Sequence, residues 1–537
     1  MTAKDTIQQG KAVLGIEFGS TRIKAVLIDG DNAPIAQGSH TWENQLENGL
    51  WTYSIKSIWE GVQDCYATLR KDVMDQYGIE LENLAAIGVS AMMHGYMAFN
   101  KDQEILVPFR TWRNTNTGKA AARLSELFNF NIPLRWSISH LYECIIDGES
   151  HVKDIDYLAT LDAYIHWQLT GERVTGIGDA SGMLPIDPDT KDYDEKMVKK
   201  FDTLVAPKGY PWKLRDILPK VLVAGQEAGC LTAEGAKLLD PSGHLKAGIP
   251  MCPPEGDAGT GMAATNAVRQ RTGNVSCGTS SFSMIVLEKN LSQPYKSIDI
   301  VTTPDGAPVA MVHCNNCTSD INAWVNIFKE CLEANGHKVD MGQLFVTLFQ
   351  TALKGDPNCG GLMAYNYFSG EPVTGLDEGR PMIVRSPNDV FSLANFMRAN
   401  LYGAVAVLKI GNDILFKDEK VEVDRLTGHG GFFTTPEVGQ RILAAALNLP
   451  ISVMKTAGEG GPWGMALLAS YLVNSSKHQS LADFLDQKVF AGNKGTEVTP
   501  TTEEVEGFNA YIESYKKGLC RNRTVPRCCT AGHARSG

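Results

Sequence analysis

Residues 17–28, EFGSTRIKAVLI, align without a gap to residues 276–287, SCGTSSFSMIVL. Each copy reads as a glycine and two hydroxyl residues in a turn, followed by mixed residues and then an apolar strand. One hairpin near the start and a second just past the middle suggest two related halves, against the competing reading of a chance match between two short strand-turn-strand stretches. The chain's 537 residues are too many for one core, which agrees with two halves.

The first hundred residues alternate clearly. Residues 12–18 and 23–28 read as strands, Asp29-Gly30-Asp31-Asn32 as a turn, and residues 34–41 as a third antiparallel strand. Ile58, Val62, Tyr66, Leu69, Val73 and Tyr77 then recur at steps of four and three, the stripe of a helix closed by Gly78. Residues 84–89 read as a strand again. Residues 191–220, rich in charge and proline, read as a solvated excursion. A Gly- and Ala-rich stretch at 256–271 marks the main boundary, with a new strand from Asn274. The expected division is therefore 12–265 and 266–518, with an amphipathic helix closing the second half. The tail 519–537, with two adjacent cysteines and four arginines, is expected to be disordered.

Fifty Lys and Arg against 61 Asp and Glu leave a net charge of -11, which argues against wrapping nucleic acid. Any anionic ligand has to be held locally. The start has no basic stretch followed by an apolar one, and no run approaches the ~18 apolar residues of a membrane span, so a cytoplasmic protein with no membrane partner is expected. Most of the twelve cysteines lie in apolar segments and read as buried thiols. Cys314 and Cys317, beside His313, have metal or redox spacing, but a zinc site needs a second pair of ligands at matching spacing and none follows.

A glycine turn lets backbone approach a ligand closely, and consecutive N–H groups with Ser or Thr hydroxyls form a concavity for phosphate oxygens. Two such turns facing each other would clamp a polyphosphate, whereas either alone is also an ordinary hairpin turn. A third glycine cluster, Gly428-His429-Gly430-Gly431, follows a strand and leads to Thr435 as N-cap, Pro436 at the first helical position and Glu437 behind it. A flat nucleoside could lie on that loop. A fourth, AGEGGPWGMALLAS, opens a helix with an Ala-rich face suited to close approach.

In this order the pieces resemble the FGGY family of carbohydrate kinases, of the actin, hexokinase and heat-shock ATPase superfamily. GIEFGSTRIKAVLID is similar to its first phosphate loop, EGDAGTG to the segment of its catalytic Asp, and SCGTSS to its second phosphate loop. MAYNYFSGEPV is similar to its Y-x-x-G-E-R-x-P stretch, and GHGGFF and GGPWGMA to its adenosine-binding glycines. The resemblance runs from about residue 13 to about residue 470. It implies an α/β fold of two ribonuclease-H-like, actin-like ATPase domains flanking a deep cleft, with sugar mainly on the first and ATP mainly on the second. It also implies transfer of the ATP γ-phosphate, with Mg2+, to a hydroxyl of a ketose, a pentulose such as xylulose or a hexulose.

The resemblance assigns the residues as follows. Asp257, between glycines where a turn residue or cap is the ordinary reading, becomes the base that takes the hydroxyl proton. Glu17 stands where the family usually has an Asp near the metal. Gly19, Ser20, Thr21, Lys24, Gly278, Thr279, Ser280, Gly430, Gly431 and Gly461 fall in the nucleotide-binding segments. Met93 and His94 match part of the xylulose-kinase motif G-Q-M-H-G, with Ala91 and Met92 replacing Gly and Gln. Trp112 matches W-x-D-x-R, with Asn114 in place of its Asp and Asn116 in place of its Arg; Asp179 belongs to a stretch similar to one lining the sugar pocket. These departures keep a second reading open, a sugar- and nucleotide-binding regulator of the same fold without turnover. The sugar and the hydroxyl attacked are not named by the sequence, nor is the oligomer, a homodimer being one candidate.

Overall fold

In the computed structural model, which describes residues 1–454, 456, 460–492 and 495–524, each half builds its own sheet. The first sheet runs in the order Glu255–Gly256, Ala86–Ala91, Val13–Phe18, Arg22–Ile28, Pro34–Thr41. Val13–Phe18 is antiparallel to the strand that follows it and parallel to Ala86–Ala91. The second sheet repeats this order with Ile451–Val453, Arg425–His429, Thr272–Cys277, Ser281–Val286 and Pro308–Cys314. Asp299–Thr302 and Thr496–Val498 extend its two edges. Two copies of one mixed five-strand pattern are the ribonuclease-H-like arrangement, and the expected duplication holds.

The copies are not identical. In the first hairpin the Gly19 N–H closes on the Arg22 carbonyl at 2.9 Å and Phe18 pairs with Ile23. A gapless copy would set Cys277 against Phe282. Instead the Gly278 N–H closes on the Ser280 carbonyl at 2.9 Å, Cys277 pairs with Ser281, and the second turn is one residue shorter. A one-residue slip exchanges the faces of a strand. Lys24 therefore stands opposite Glu17, whereas Phe282 stands opposite Ser276.

Helix Ile55–Tyr77 forms as its stripe predicts. Ser54 caps it by accepting the Ser57 N–H at 3.0 Å, Gly78 ends it at φ 66°, and Ile58, Val62, Tyr66, Leu69 and Val73 are buried. Three local expectations fail. Residues 191–220 are not a solvated excursion, because helix Glu195–Val205 buries Val198, Phe201 and Val205, and Trp212, Leu214 and Ile217 join the same core. Charge on the outer face of an amphipathic segment hid that inner face. Helix Val438–Leu447 begins two residues later than expected, with Glu437 in the left-handed region at φ 66° and no side-chain cap. The turn Gly431–Phe433, which buries Phe432 and Phe433, takes up the chain first. The last helix, Thr502–Thr524, runs six residues into the tail expected to be disordered, and residues 525–537 lie outside the described residues.

The two lobes are joined by more than a linker. Helix Gly460–Asn474, from the second half of the chain, lies on the first sheet and beside helix Asp257–Ala264. Its Trp463 Nε1–H donates to the Asn32 carbonyl at 3.0 Å, and its Ser470 hydroxyl donates to Asn32 Oδ1 at 2.6 Å. The approach is backbone to backbone. A Cβ at Gly15 would strike the Pro462 carbonyl and the Ala466 nitrogen, and one at Gly464 would strike the Thr260 carbonyl. Gly464→Val is expected to cost about 3 kcal/mol or more through overpacking, read as a lowered urea midpoint.

Candidate active site

Strand order sets the site. Glu255 and Gly256 end beside Ser90 and Ala91, which end beside Glu17 and Phe18, so the chain leaves three neighbouring strands at one edge of the first sheet. Ligands of such sheets gather at the carboxyl ends of parallel strands. Asp257 is the first residue of helix Asp257–Ala264, with Gly256 at the N-cap. The Met93 backbone N–H donates to its Oδ1 at 3.1 Å. More than a third of the Asp257 surface is open to solvent, yet the protein mass around it is that of the interior. Both hold at the floor of a cleft. Burial raises its carboxyl, and the N–H donors of Met93 and of its own helix start pull the other way.

Glu17 faces the same space. Burial, and then the charge of Asp257, push its carboxyl up to about 7 against the opposing pull of Lys24. Its carboxylate lies against Gly461 in the first turn of the crossing helix, where a Cβ would collide with Oε1. Two neighbouring carboxylates beside helix starts form a place where a cation and a phosphate can meet.

The turns that flank these strands are braced through their carbonyl groups. The Gly19 carbonyl accepts Trp42 Nε1–H at 2.7 Å, the Ser20 carbonyl accepts the Tyr53 hydroxyl at 2.6 Å, and Trp112 Nε1–H donates to Ser20 Oγ at 3.1 Å. In the second lobe the Thr318 N–H and hydroxyl donate to the Gly278 carbonyl at 3.0 and 2.7 Å, and the Cys317 N–H donates to the Thr279 carbonyl at 2.9 Å. Gly430, at φ 97°, sits so close to the Cys277 carbonyl that a Cβ there would collide. The third glycine loop therefore abuts the second phosphate-type turn, while Gly431 faces open space.

His94 is buried, in the left-handed region at φ 75°, an uncommon conformation for a non-glycine residue. Its Nδ1 lies 3.3 Å from the Gly182 carbonyl, which places the proton on Nδ1 and makes Nε2 the acceptor. Burial, then the Arg135 charge, hold it well below the usual histidine range, so the ring is neutral. Trp112 lines a cavity of about 1290 Å3 between the lobes, together with Asn131, Arg135, Asp299, His313 and Asn315.

Two expected sugar contacts have other duties. Asn114 accepts the Trp51 N–H at 2.9 Å and donates to the carbonyls of Trp51 at 2.8 Å and Thr111 at 3.0 Å, so its amide is taken up by backbone. Asn116 is exposed. Asp179 is fully buried below Gly256, and its Oδ2 accepts the Thr160 hydroxyl at 2.6 Å and the Thr175 hydroxyl at 3.3 Å. It forms a buried acidic group with Asp162 and Glu255. Burial pushes Asp162 to about 6 and Glu255 to about 8, and raises Asp179 well above the carboxylate range. Because the folded values exceed the free ones, the fold holds protons that the unfolded chain releases. This contribution to stability is expected to be full below about pH 4, where the free carboxyls are protonated as well, and to fall as pH rises from there to about 8. Thermal midpoints across that window check the sign, and Asp162→Asn is expected to flatten the slope.

Arg135 is the group the motifs missed. It is ion-paired with Asp299 of the second lobe, and Asn131 Nδ2–H donates to Asp299 Oδ1 at 2.9 Å and to the Ile298 carbonyl at 3.0 Å. Its charge bears on Asp257, His94 and His313 alike. No spacing announces it, because its partners come from the other lobe. Among the described residues, Cys144, Glu149 and His151 are the group placed to hold a metal ion, not Cys314 and Cys317. Arg110 already fills that position, 3.0 Å from Cys144 Sγ and 2.6 Å from Glu149 Oε2.

Residues 12–262 match the N-terminal domain of the FGGY family of carbohydrate kinases, and residues 273–473 match its C-terminal domain. The chain belongs to the FGGY family. Like the family, it is a sugar kinase, a phosphotransferase with an alcohol group as acceptor. This FGGY kinase is 20% identical over 514 residues to the xylulose kinase of Haemophilus influenzae, covering 94% of this chain and 98% of that one. Its fold is that of a ligand-bound xylulose kinase from Lactobacillus acidophilus, with a TM-score of 0.78 at 18% identity over 95% of this chain and 99% of the other. A gluconate kinase from Lactobacillus acidophilus matches at 0.77 and 18% identity over the same shares. No helix among the described residues is long and apolar enough to cross a membrane.

Proposed function

We propose that this kinase transfers the γ-phosphate of ATP to a hydroxyl of a ketose, a pentulose such as xylulose, with Asp257 as the base. The observation that carries the reading is the open carboxylate of Asp257 at interior depth, held by the Met93 N–H beside Glu17. A hydroxyl seated against Asp257 gives up its proton to that carboxylate as its oxygen attacks the γ-phosphorus, and ADP leaves with the bridging oxygen as the bond to that phosphorus breaks. The Nε2 of His94 and the indole of Trp112 orient the sugar. The two braced turns, with Gly430, Gly431 and Gly461, present backbone to the nucleotide.

The donor set fits a Mg2+ ion. The charge of Asp257 raises the cost of ionising Glu17, and a bound cation would relieve it. When bound, that ion would neutralise phosphate charge; Glu17 would hold it, directly or through water. Glu17 beside Asp257 also favours turnover over the binding-regulator reading. ADP release from a panel of pentuloses, hexuloses and polyols tests the proposal. A pentulose is expected to give the highest kcat/KM, and a panel in which no acceptor raises ADP release above the sugar-free rate refutes it.

A further inference from the structure

Across the second sheet, His429, Ser276, Phe282 and His313 stand in register on four adjacent strands, and all four are half-buried on one face. The Phe282 ring lies nearly parallel to His313, with 12° between planes and 6.4 Å between ring centres. His313 lines the cavity between the lobes. Neither of its ring nitrogens has a hydrogen-bond partner among the described residues. Burial, then the Arg135 charge, lower it to about 3, so it stays neutral and offers one donor and one acceptor.

Arg135 is the common neighbour. Its backbone carbonyl accepts the Gly95 N–H at 3.4 Å, next to His94, its guanidinium pairs with Asp299 and lines the cavity with His313, and its charge acts on Asp257, His94 and His313. The first two belong to the floor of the first lobe, and His313 lines the cavity from the second. The wall carries little net charge, because Arg135 is matched by Asp299 and both imidazoles are neutral. The Arg135 charge reaches Asp257, and the Asp257 charge reaches Glu17. The further cations of the cavity, Arg113 and Lys296, are exposed and solvated. A carboxylate brought into this space would meet Asp299 and the charge of Asp257 with no free inner cation among the described residues, a costly burial. Uncharged oxygens meet donors and acceptors on both sides.

We propose that His313 is a specificity-determining residue that hydrogen-bonds an oxygen of the acceptor remote from the attacked hydroxyl, and that this wall selects neutral ketoses and polyols over sugar acids. The inference rests on the sugar-kinase reading of the same cleft. It also gives a task to the HCNNC segment.

Steady-state kinetics of wild type, His313→Ala and His313→Gln test it, with xylulose, ribulose and xylitol compared against gluconate and xylonate. Wild type is expected to prefer the neutral set. His313→Ala is expected to raise KM for the preferred sugar about tenfold, the loss of one buried hydrogen bond, with kcat and the KM for ATP held. His313→Gln, which keeps a donor and an acceptor, is expected to recover part of the affinity. The proposal is overturned by an unchanged sugar KM in His313→Ala, by a shift in the ATP KM instead, or by wild-type preference for an aldonate. If His313→Ala fails to fold by its thermal midpoint, His313→Gln with a changed order of preferred sugars carries the test, and an unchanged order overturns it. Wild type inactive on every acceptor sinks the kinase reading itself, a different outcome from any of these.

Discussion

Asp257→Asn is expected to lower kcat by about a hundredfold to ten-thousandfold, the usual contribution of a positioned base, while nucleotide still binds. The substitution keeps the shape of the side chain and an oxygen for the Met93 N–H, so the helix start should survive. It removes the carboxylate proposed to receive the proton. ADP release with saturating sugar reads the first effect, and a fluorescent-nucleotide titration reads the second. Turnover within a few fold of wild type would mean that the proton leaves by another route. On the acid side the wild-type rate should fall as Asp257 protonates, and that limb should vanish in any residual activity of the variant, because burial raises this carboxyl in the direction that makes the limb observable.

Glu17→Gln is expected to weaken the Mg2+ dependence of the reaction by about 10- to 100-fold with smaller effect at saturating metal. Glu17 is the acid that the Asp257 charge pushes toward neutrality, and removing its charge relieves the repulsion while losing the proposed anchor of the metal. The two consequences separate experimentally. Thermal stability without ligands should rise or hold, and activity at limiting Mg2+ should fall. A variant with wild-type metal dependence would place the ion elsewhere.

The duplicated fold was legible because a hairpin writes its turn and its alternation into a dozen consecutive residues, as at 17–28 and 276–287. The one-residue difference between the two turns was not, since a gapless alignment does not report which carbonyl each glycine N–H selects. Asp257, Glu17 and His94 were legible through motif order and come together at one strand edge. Arg135, Asp299 and His313 were hidden for a physical reason: they meet only when two distant stretches fold against each other. Asn114 shows the converse, a residue whose place in a motif pointed to ligand while its amide mates with the backbone of Trp51. The helix over 195–205 was hidden by its own polar face.

The crossing helix Gly460–Asn474 means that neither half of this chain is self-sufficient. A polypeptide ending near residue 271 would leave Gly15 and Gly88 at the bottom of an uncovered apolar trough, since their neighbours Pro462, Met465 and Ala466 are encoded almost two hundred residues downstream. Such a fragment should be insoluble by itself, yet competent to reassemble when the complementary piece is supplied in the same cell.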